Sequence, residues 1–442
     1  MTHSVTHPMM GSMTNTRHFT VLALGSAGDV HPLLAIAIEL QERGHDVLFL
    51  STPEIEKFAQ AANLPFGAIC TQADLDKTLS HPKLWDARAS LGVLWRYLGV
   101  PALRPSFNSL VARLNAHPQA NHTVIASALA MGARIARECY AFHLVNAYTS
   151  PANLRQIDGP FFIGDVLIPS WLNRMSKRAL WSVLDHYKLD PLMRPGIEGF
   201  RSELGMRPVG KGYLKTWMHS PDAGIALWPK WWDALMHPDQ YQAPWQADFV
   251  FLDPAPSAKL PAALQDFLNA GKPPIVWMPG SAVRNTRDFF HNAQKLCTEL
   301  KERGLFLSSQ MEQFPITIPG QTFAASLTPF AALLPHCKLL VHHGGIGSTA
   351  AAIRAGIPQV IVASAFDQFF NGQQVAQLGV GTWLKSTHAT LAQLAKKIRL
   401  ALLISSTSIA FFQKQIDAKR TLIEISNGLE ELSTTSVKLA QD

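Results

Sequence analysis

The feature that most constrains the fold is the stretch 342–371, which reads HHGGIGSTAAAIRAGIPQVIVASAFDQFFN. The apolar run 339–341 before it predicts a short buried strand, and the alanine-rich segment after the glycines predicts a helix that ends at Gly356. A strand that passes through a glycine-rich turn into a helix leaves backbone N–H groups free at the positive end of the helix dipole. Because such a turn binds phosphate, we predict a parallel α/β unit with a diphosphate site.

Two polar side chains follow the next strand of this unit. The segment Gln359–Ala363 is apolar and rich in valine and isoleucine, and Asp367 and Gln368 come shortly after its end. Carboxylate and amide groups make the hydrogen bonds that sugar hydroxyls need. The carboxyl ends of parallel strands share one edge of the sheet, where ligands bind. The sequence therefore predicts a polyol site beside the diphosphate site.

A second strand–loop–helix unit begins near the N-terminus. The apolar segment 18–24 leads into the loop GSAGDVHP at 25–32, and a helix and another strand are predicted after it. The loop lacks the GxGxxG spacing of dinucleotide-binding proteins, which argues against NAD or FAD. Asp29 follows the strand at the edge where α/β sheets bind ligands. The residues alone leave open whether Asp29 is a helix N-cap or a catalytic base, and His31 is either a base or a loop residue.

Length and composition indicate a two-domain protein without a nucleic-acid partner. A chain of 442 residues is longer than most domains that fold around a single hydrophobic core, and a second β–α series begins at Pro274. The net charge of +7 suits an anionic ligand or surface, but no basic block interleaved with aromatic residues indicates nucleic-acid binding. The predicted parts are a disordered N-terminus at 1–17, a Rossmann-like domain at 18–240, a linker at 241–261, a second Rossmann-like domain at 262–425 and a C-terminal tail at 426–442.

The segment 169–189 combines apolar residues with four basic residues at helical spacing. It predicts one amphipathic helix that either packs on its own domain or lies on a membrane surface. No apolar run reaches the ~18–20 residues that a membrane span needs, and the N-terminal residues lack the apolar core of a signal peptide. The four cysteines have no paired spacing, which predicts reduced thiols. We expect a cytoplasmic protein, at most peripherally attached at the cytoplasmic membrane face.

With these motifs identified, the chain resembles the family 1 glycosyltransferases. The patterns HHGGxGSTxxAxxAGxPQVxxxxxxDQxxN and GSxGDVxP carry the resemblance, which extends over nearly the whole chain. The segments LWDARASLGVLW (84–95) and WMHSPDAG (217–224) most resemble the rhamnosyltransferase B chain of bacterial rhamnolipid synthesis, and sterol and glycopeptide glycosyltransferases are next. The resemblance implies the α/β GT-B fold, in which two Rossmann-like domains face each other across a cleft and the C-terminal helix returns to the N-terminal domain.

The resemblance also implies a role for each matching residue. Asp29 matches the general base. The donor diphosphate would contact His343, Gly345, Gly347, Ser348, Gly280 and Ser281, the donor sugar Asp367 and Gln368, the nucleotide base Leu327 and Phe330, and the acceptor His31, Trp85, Trp95 and Ser150. The tryptophan that plant members place against the base is missing, so their rules for donor choice do not carry over. The tripeptide 74–76 reads DLD like a metal motif of another fold, but it lies in a predicted helix far from the phosphate loops, and no metal is expected.

The implied reaction is an inverting transfer from a nucleotide diphosphate sugar to a hydroxyl of a lipophilic acceptor. The transferred group is a hexosyl or deoxyhexosyl group, with L-rhamnosyl among the candidates, and no cofactor is expected. Both dTDP-L-rhamnose and a UDP-hexose remain open as donors. The alternatives are a UDP-glucose-dependent glucosyltransferase for a sterol-like or natural-product acceptor and a catalytically silent homologue that binds a nucleotide-sugar.

Overall fold

Two parallel β-sheets organise the chain, one in each domain. The computed structural model describes residues 16–233, 244–253 and 259–437. Almost all of the predicted disordered N-terminus, and parts of the predicted linker and tail, lie outside these residues. In the described part of the chain, no helix has the length and apolarity to span a bilayer.

The N-terminal sheet is entirely parallel. Its first five strands are β1 His18–Leu22, β2 Asp46–Ser51, β3 Phe66–Ala68, β4 His122–Ser127 and β5 His143–Tyr148. A separate antiparallel hairpin of β6 Phe161–Ile163 and β7 Val166–Ile168 comes next in the chain. The sheet is completed by β8 Ala223–Ala226 and β9 Trp245–Gln246. They are ordered β3-β2-β1-β4-β5-β8-β9. The chain reverses its direction of progress across the sheet between β1 and β4, so the loop after β1 lies at the switch point where open α/β sheets bind ligands.

The C-terminal sheet repeats this arrangement. Its strands are β10 Ile275–Met278, β11 Gly304–Leu307, β12 Thr322–Ala325, β13 Leu339–His342, β14 Gln359–Ala363 and β15 Gly381–Lys385. They are ordered β12-β11-β10-β13-β14-β15, and each neighbouring pair is parallel. Here the switch point lies between β10 and β13. The predicted phosphate turn follows β13, so both predicted ligand loops lie at switch points, and the α/β GT-B fold is confirmed.

Helices cover both faces of the N-terminal sheet. They are α1 Ala27–Glu42, α2 Glu56–Ala61, α3 Gln72–Leu79, α4 Ser90–Leu94, α5 Val100–Ala116, α6 Met131–Cys139, α7 Arg174–Leu184 and α8 Asp190–Glu203. The region 70–120, which shows no regular pattern in the sequence, is mostly helical. Pro105 lies inside α5 and a π-helical turn, Trp95–Gly99, joins α4 to α5, so the expected 3.6-residue period is interrupted. The segment 169–189 is helical only from Arg174 and continues through a second π-helical turn into α8.

The second half of the chain contributes the remaining helices of the described residues. They are α9 Ala262–Asn269, α10 Arg287–Leu300, α11 Phe330–Leu333, α12 Ile346–Ala355, α13 Gln368–Gln377, α14 Leu391–Leu402, α15 Ser406–Gln413 and α16 Ala418–Leu432. The sequence pattern over 408–426 predicts one helix, but the chain turns between α15 and α16, where the Asp417 side chain accepts the Arg420 N–H and caps the second helix. The predicted start of the tail at 426 falls inside α16.

Helix α16 returns to the N-terminal domain and packs against α1. Ile425 and Leu429 are fully buried in the core beneath α1. At the end of α1, the Arg43 guanidinium contacts the Glu430 carboxylate at 3.1 Å and the Asn427 side-chain oxygen at 2.7 Å. The C-terminal helix therefore joins the two domains, as the resemblance implied.

We predict that Ile425→Ala lowers the free energy of unfolding by about 2–5 kcal/mol, because it leaves a cavity between α16 and α1. The matched control is Ile423→Ala on the same helix, where the side chain is 38% exposed, and its cost should not exceed about 1 kcal/mol. Urea unfolding followed by fluorescence measures both changes. Equal losses in the two variants would contradict the packing of α16 on α1.

Candidate active site

A cavity of about 2160 Å³ lies between the two domains. Loops after β1, β4 and β5 form one wall, and loops after β10, β13 and β14 form the other. The predicted site residues that line it are Asp29, His31, Trp85, Ser150, Ser281, Leu327, Phe330, His343, Gly345, Gly347, Ser348, Asp367 and Gln368. The walls meet where a Cβ built on Gly347 would lie 3.4 Å from the Cα of Gly28. The structure thus brings most predicted residues into one interdomain cleft.

Asp29 lies in the first turn of α1 with both carboxylate oxygens held. The backbone N–H and the hydroxyl of Ser26 each donate to Oδ2 at 3.0 Å, and the Thr149 hydroxyl donates to Oδ1 at 2.9 Å. Ser26 is the N-cap residue, so Asp29 completes the cap rather than forming it alone. Gly25 has φ +144°, and a Cβ there would lie 2.6 Å from Oδ2. Burial raises the pKa of Asp29 above 3.8, while these three hydrogen bonds oppose the rise.

His343 lies on the opposite wall between two glycines. A Cβ on Gly280 would be 2.9 Å from Nδ1, and a Cβ on Gly345 would be 2.6 Å from Nε2, so both positions leave room for the imidazole. Burial lowers the pKa of His343 to about 4, which makes the ring neutral at physiological pH. Its buried Nδ1 has no hydrogen-bond partner among the described residues. The site can therefore offer a ligand one neutral imidazole nitrogen.

His342 is excluded from the cavity. Its side chain is completely buried, with Nε2 2.9 Å from the Gln359 amide oxygen and Nδ1 accepting the Gly344 N–H at 3.2 Å. Burial lowers the pKa of His342 to about 3. Both ring nitrogens are used within the fold, so this histidine supports the turn and only the second of the pair faces the cleft.

The N-terminus of α12 faces the cleft next to His343. Gly345 is its N-cap residue and has no side chain to cap the helix. The backbone N–H groups of the first turn therefore point toward the cavity, where the Ile346 N–H opposes the rise in the pKa of the nearby Asp367 carboxylate. Gly347 and Ser348 line the cavity directly. Unbonded N–H groups at a helix N-terminus form a seat for an anion.

Asp367 precedes α13 and approaches Asp29 from the other domain. The Asn371 side-chain amide donates to its Oδ2 at 2.8 Å. Burial, and after it the negative charge of Asp29, raise the pKa of Asp367 to about 7. Gln368 is almost fully buried, and its side-chain oxygen accepts the N–H groups of Ser364 and Ala365 at 2.7 and 3.0 Å. The Gln368 oxygen thus stabilises the turn after β14, and the side-chain nitrogen is the group that can still donate a hydrogen bond to a ligand.

Two predicted site residues do not line the cavity. Trp95 is only 1% exposed and packs against Gly99 in the helical core, so its assignment to the acceptor site is wrong. The sequence could not place it, because the π-helical turn that begins at Trp95 rotates the face of the helix. Gly280 lies behind His343 and makes room for its ring instead of lining the cleft itself.

Trp85 has a more specific position than predicted. Its ring meets those of His343 and Phe366 edge to face, with centroids 6.4 and 5.9 Å apart. It reaches from the N-terminal domain to the two C-terminal loops that carry the phosphate and sugar positions. His31, the other predicted acceptor residue near Asp29, contacts the edge of Phe58, and burial lowers the pKa of His31.

One group of metal-ligating side chains exists in the described residues, and it lies away from the cleft. His18, Asp46 and His117 have ligand atoms within 4.8 Å of one another at the amino-terminal edge of the N-terminal sheet. Arg113 already contacts the Asp46 carboxylate at 3.1 Å, so a positive charge occupies the place of a cation there. The cleft itself brings no comparable group together among the described side chains.

Comparison with known proteins agrees with this geometry. Residues 19–157 match the glycosyltransferase family 28 N-terminal domain, and residues 305–410 match the C-terminal domain of erythromycin biosynthesis protein CIII-like proteins. An uncharacterised glycosyltransferase of Mycobacterium leprae is 27% identical over 403 residues, which cover 87% of this chain and 89% of the relative. This chain is a GT-B glycosyltransferase.

Two further relatives of the glycosyltransferase carry more specific names. The O-mycaminosyltylonolide 6-deoxyallosyltransferase of Streptomyces fradiae is 24% identical over 383 residues, which cover 81% of this chain and 83% of the relative. A solved structure of a spinosyn rhamnosyltransferase complexed with thymidine diphosphate has a TM-score of 0.60 and 17% identity, and covers 93% of this chain and 100% of that one. At this identity the structural likeness speaks for the fold alone.

One residue of the glycosyltransferase site escapes sequence reasoning. Thr149 holds the Asp29 carboxylate, yet the two residues are 120 positions apart in the chain. The available signal was its place directly after β5, since the carboxyl ends of β1 and β5 share an edge of the sheet. A hydroxyl residue at that edge is therefore a candidate partner for any acid on the first loop.

We predict that Asp367 makes the glycosyltransferase less stable as pH rises. With its pKa raised from 3.8 to about 7, the folded state binds more protons than the unfolded state across that interval, so the free energy of unfolding falls as pH increases through it. Asp367→Asn removes this contribution. Urea unfolding of both proteins from about pH 4 to about pH 8 should show that the free energy of unfolding of the variant increases relative to that of the parent protein as pH rises.

The matched control for that measurement is Asp266→Asn, which changes an exposed carboxylate on α9. This variant should keep the parent protein's dependence on pH. A constant stability difference between Asp367→Asn and the parent protein over the whole range would contradict the raised pKa.

Proposed function

We propose that the enzyme transfers a hexosyl or deoxyhexosyl group from a nucleotide diphosphate sugar to a hydroxyl of a lipophilic acceptor, with inversion at the anomeric carbon. The observation that carries the proposal is that the two domains place complementary groups on opposite sides of one cavity. Asp29 projects from one domain, and His343, the N-terminus of α12 and Asp367 face it from the other, around one cavity. A single displacement needs a base on one side of the sugar and an anion seat on the other.

In this proposal Asp29 acts as the general base. The acceptor oxygen forms a bond to the anomeric carbon, the bond from that carbon to the diphosphate oxygen breaks, and the acceptor proton passes to the Asp29 carboxylate. A carboxylate has about four lone-pair sites, so the hydrogen bonds from Ser26 and Thr149 leave one free for this proton. They also keep the carboxylate oriented during transfer.

The departing diphosphate would rest on the turn between β13 and α12. The first N–H groups of α12 and the Ser348 and Ser281 hydroxyls supply donors, and the neutral His343 ring supplies one more when Nδ1 or Nε2 carries the proton. The Asp367 carboxylate and the Gln368 amide would hold sugar hydroxyls. Leu327 and Phe330 would cover the nucleotide base, and the proposal requires neither a metal nor a cofactor.

For the donor we propose a dTDP-deoxyhexose, dTDP-L-rhamnose among them. One named relative supports this choice, the 6-deoxyallosyltransferase, whose sequence is similar over 81% of this chain. The likeness to rhamnolipid rhamnosyltransferases points in the same direction. A thermal-shift panel with dTDP, UDP and their sugars tests it, and a larger shift with UDP-glucose than with dTDP-rhamnose would favour the glucosyltransferase alternative.

For the acceptor we propose a lipophilic hydroxyl compound. Away from the diphosphate seat, the cavity is lined by Leu91, Leu94, Phe162, Trp181, Leu184 and Leu192. Apolar surface of this kind gains roughly 25 cal/mol for each Å² removed from water. His31, Trp85 and Ser150 would lie between this apolar region and the reacting centre. Peripheral attachment to a membrane would suit such an acceptor, but the proposed transfer does not depend on it.

We predict that Asp29→Asn lowers kcat by about 10²- to 10⁴-fold, because the amide cannot take the acceptor proton. Binding of dTDP should change by no more than about threefold, since the diphosphate seat belongs to the other domain. Transfer is measured by mass spectrometry of product, and nucleotide binding by calorimetry. Full transfer by this variant would exclude Asp29 as the base, and complete loss of binding would place it in the donor site instead.

We predict that Thr149→Val moves the acidic limb of the kcat/KM profile to higher pH by about one to two units. The lost hydroxyl donates to the charged form of Asp29, so its removal raises the pKa of Asp29, and ionised base is lost at a higher pH. Thr149→Ser keeps the donor and should keep the limb in place. An unmoved limb in the valine variant, or an equal shift in the serine variant, would contradict this positioning role.

A further inference from the structure

Helix α7 and the turn before it expose an apolar stripe to solvent. Trp171, Met175 and Tyr187 are 82%, 76% and 75% exposed, and Ala179 and Val183 complete a series with a spacing of four residues. Residues four apart lie on neighbouring turns of one helix face. A helix on a soluble protein normally turns such a face toward the core. A row of large exposed apolar side chains therefore indicates a surface that another phase or molecule covers.

The stripe is flanked by positive charge. Arg174, Arg178 and Lys188 are all exposed on the same segment, although Arg174 also pairs with the Asp158 carboxylate and Lys188 donates to the Arg88 carbonyl. Asp185 is the one acidic residue between positions 169 and 189, and its buried carboxylate pairs with the Arg155 guanidinium, whose Nη1 donates to Oδ2 at 2.6 Å. The surface around the stripe therefore combines apolar side chains with basic ones, which is the combination that binds anionic lipid headgroups and the acyl region beneath them.

The other face of the same helix forms part of the cavity wall. Trp181 and Leu184 line the cavity, and the Trp181 ring stacks on Phe161 with centroids 5.2 Å apart. Lys177 is buried and donates to the Gly159 carbonyl at 2.8 Å, which anchors the helix to the domain. Tyr187 belongs to both surfaces, since it is exposed and also lines the cavity. The stripe is thus continuous with an edge of the cleft.

We propose that this stripe docks on the surface of an anionic lipid bilayer, and that a bilayer-held acceptor enters the cleft past Tyr187. The charge of the segment selects a lipid surface over a second copy of this chain, because two such basic faces would repel each other. The route of the acceptor rests on the proposed function, whereas the docking itself does not. The hairpin of β6 and β7, with exposed Val166 and Leu167, extends the apolar surface immediately before the stripe in the chain.

Sedimentation of the full chain with vesicles tests the docking. The probes are phosphatidylcholine vesicles with and without a fraction of phosphatidylglycerol, at low and high salt. The parent protein should bind the anionic vesicles at least about tenfold more tightly than the neutral ones, and salt should weaken this binding. Equal or absent binding to the two vesicle types would overturn the proposal.

Variants locate the surface. Trp171→Ser with Met175→Ser should weaken binding to anionic vesicles at least about tenfold, whereas the control pair Leu403→Ser with Phe411→Ser, also exposed but in the C-terminal domain, should leave it unchanged. Arg178→Glu should weaken it more than Lys419→Glu, which changes the net charge equally on exposed surface elsewhere. Circular dichroism and thermal unfolding confirm that each variant is folded. Parent-like binding by the tryptophan–methionine variant would overturn the assignment.

Two further measurements distinguish lipid docking from dimer formation and from a failure of the proposed function. Sedimentation velocity without lipid detects a dimer, and a dimer that only the tryptophan–methionine variant loses would make the stripe a contact between copies instead. Vesicle binding is measured without donor or acceptor, so its failure leaves the proposed transfer untouched. An absence of glycosyl transfer together with normal vesicle binding would contradict the proposed function but not the docking surface.

Discussion

The space that glycines leave free decides where two cleft side chains of this glycosyltransferase, Asp29 and His343, lie. The Asp29 carboxylate occupies the position that a Cβ at Gly25 would need, and the His343 ring occupies the corresponding position at Gly280. These glycines follow β1 and β10, which lie at the two switch points, so both side chains lie at the sheet edges where α/β proteins bind ligands. The cleft exists because the two switch points face each other. The return of α16 to the N-terminal domain adds a second connection between the walls.

Electrostatics links the two walls. Burial raises the pKa of both Asp29 and Asp367, and the negative charge of Asp29 adds to the rise at Asp367 across their shared cavity. In the proposed mechanism a bound sugar donates hydroxyl hydrogen bonds to Asp367, which favours its charged form and replaces hydration that the cleft excludes. The diphosphate brings further negative charge next to two acids, so it depends on the hydrogen-bond donors that the α12 N–H groups and the His343 ring supply. Donor binding and the ionisation of the base are therefore coupled.

Much of this arrangement could be predicted from local sequence, and the rest required tertiary structure. The sequence pattern around 342–371 correctly predicted a strand, a turn and a helix, because glycine spacing and the start of a helix are local signals. The role of Thr149 could not be deduced in the same way, since the pairing with Asp29 depends on strand order. Trp85 and Trp95 lie in one motif, yet one enters the cleft and the other the core, because a π-helical turn shifts the helix phase. The approach of Asp29 to Asp367 depends on how the domains meet.

The most direct test of the proposed displacement is the anomeric configuration of the product. Proton and carbon NMR of the glycoside formed from an anomerically pure nucleotide-sugar reads this configuration from the coupling at the anomeric carbon. Attack by a hydroxyl that Asp29 deprotonates, opposite a diphosphate held at the N-terminus of α12, must give the inverted anomer. A product with the donor's own configuration would contradict a single displacement across this cleft, and with it the role assigned to Asp29.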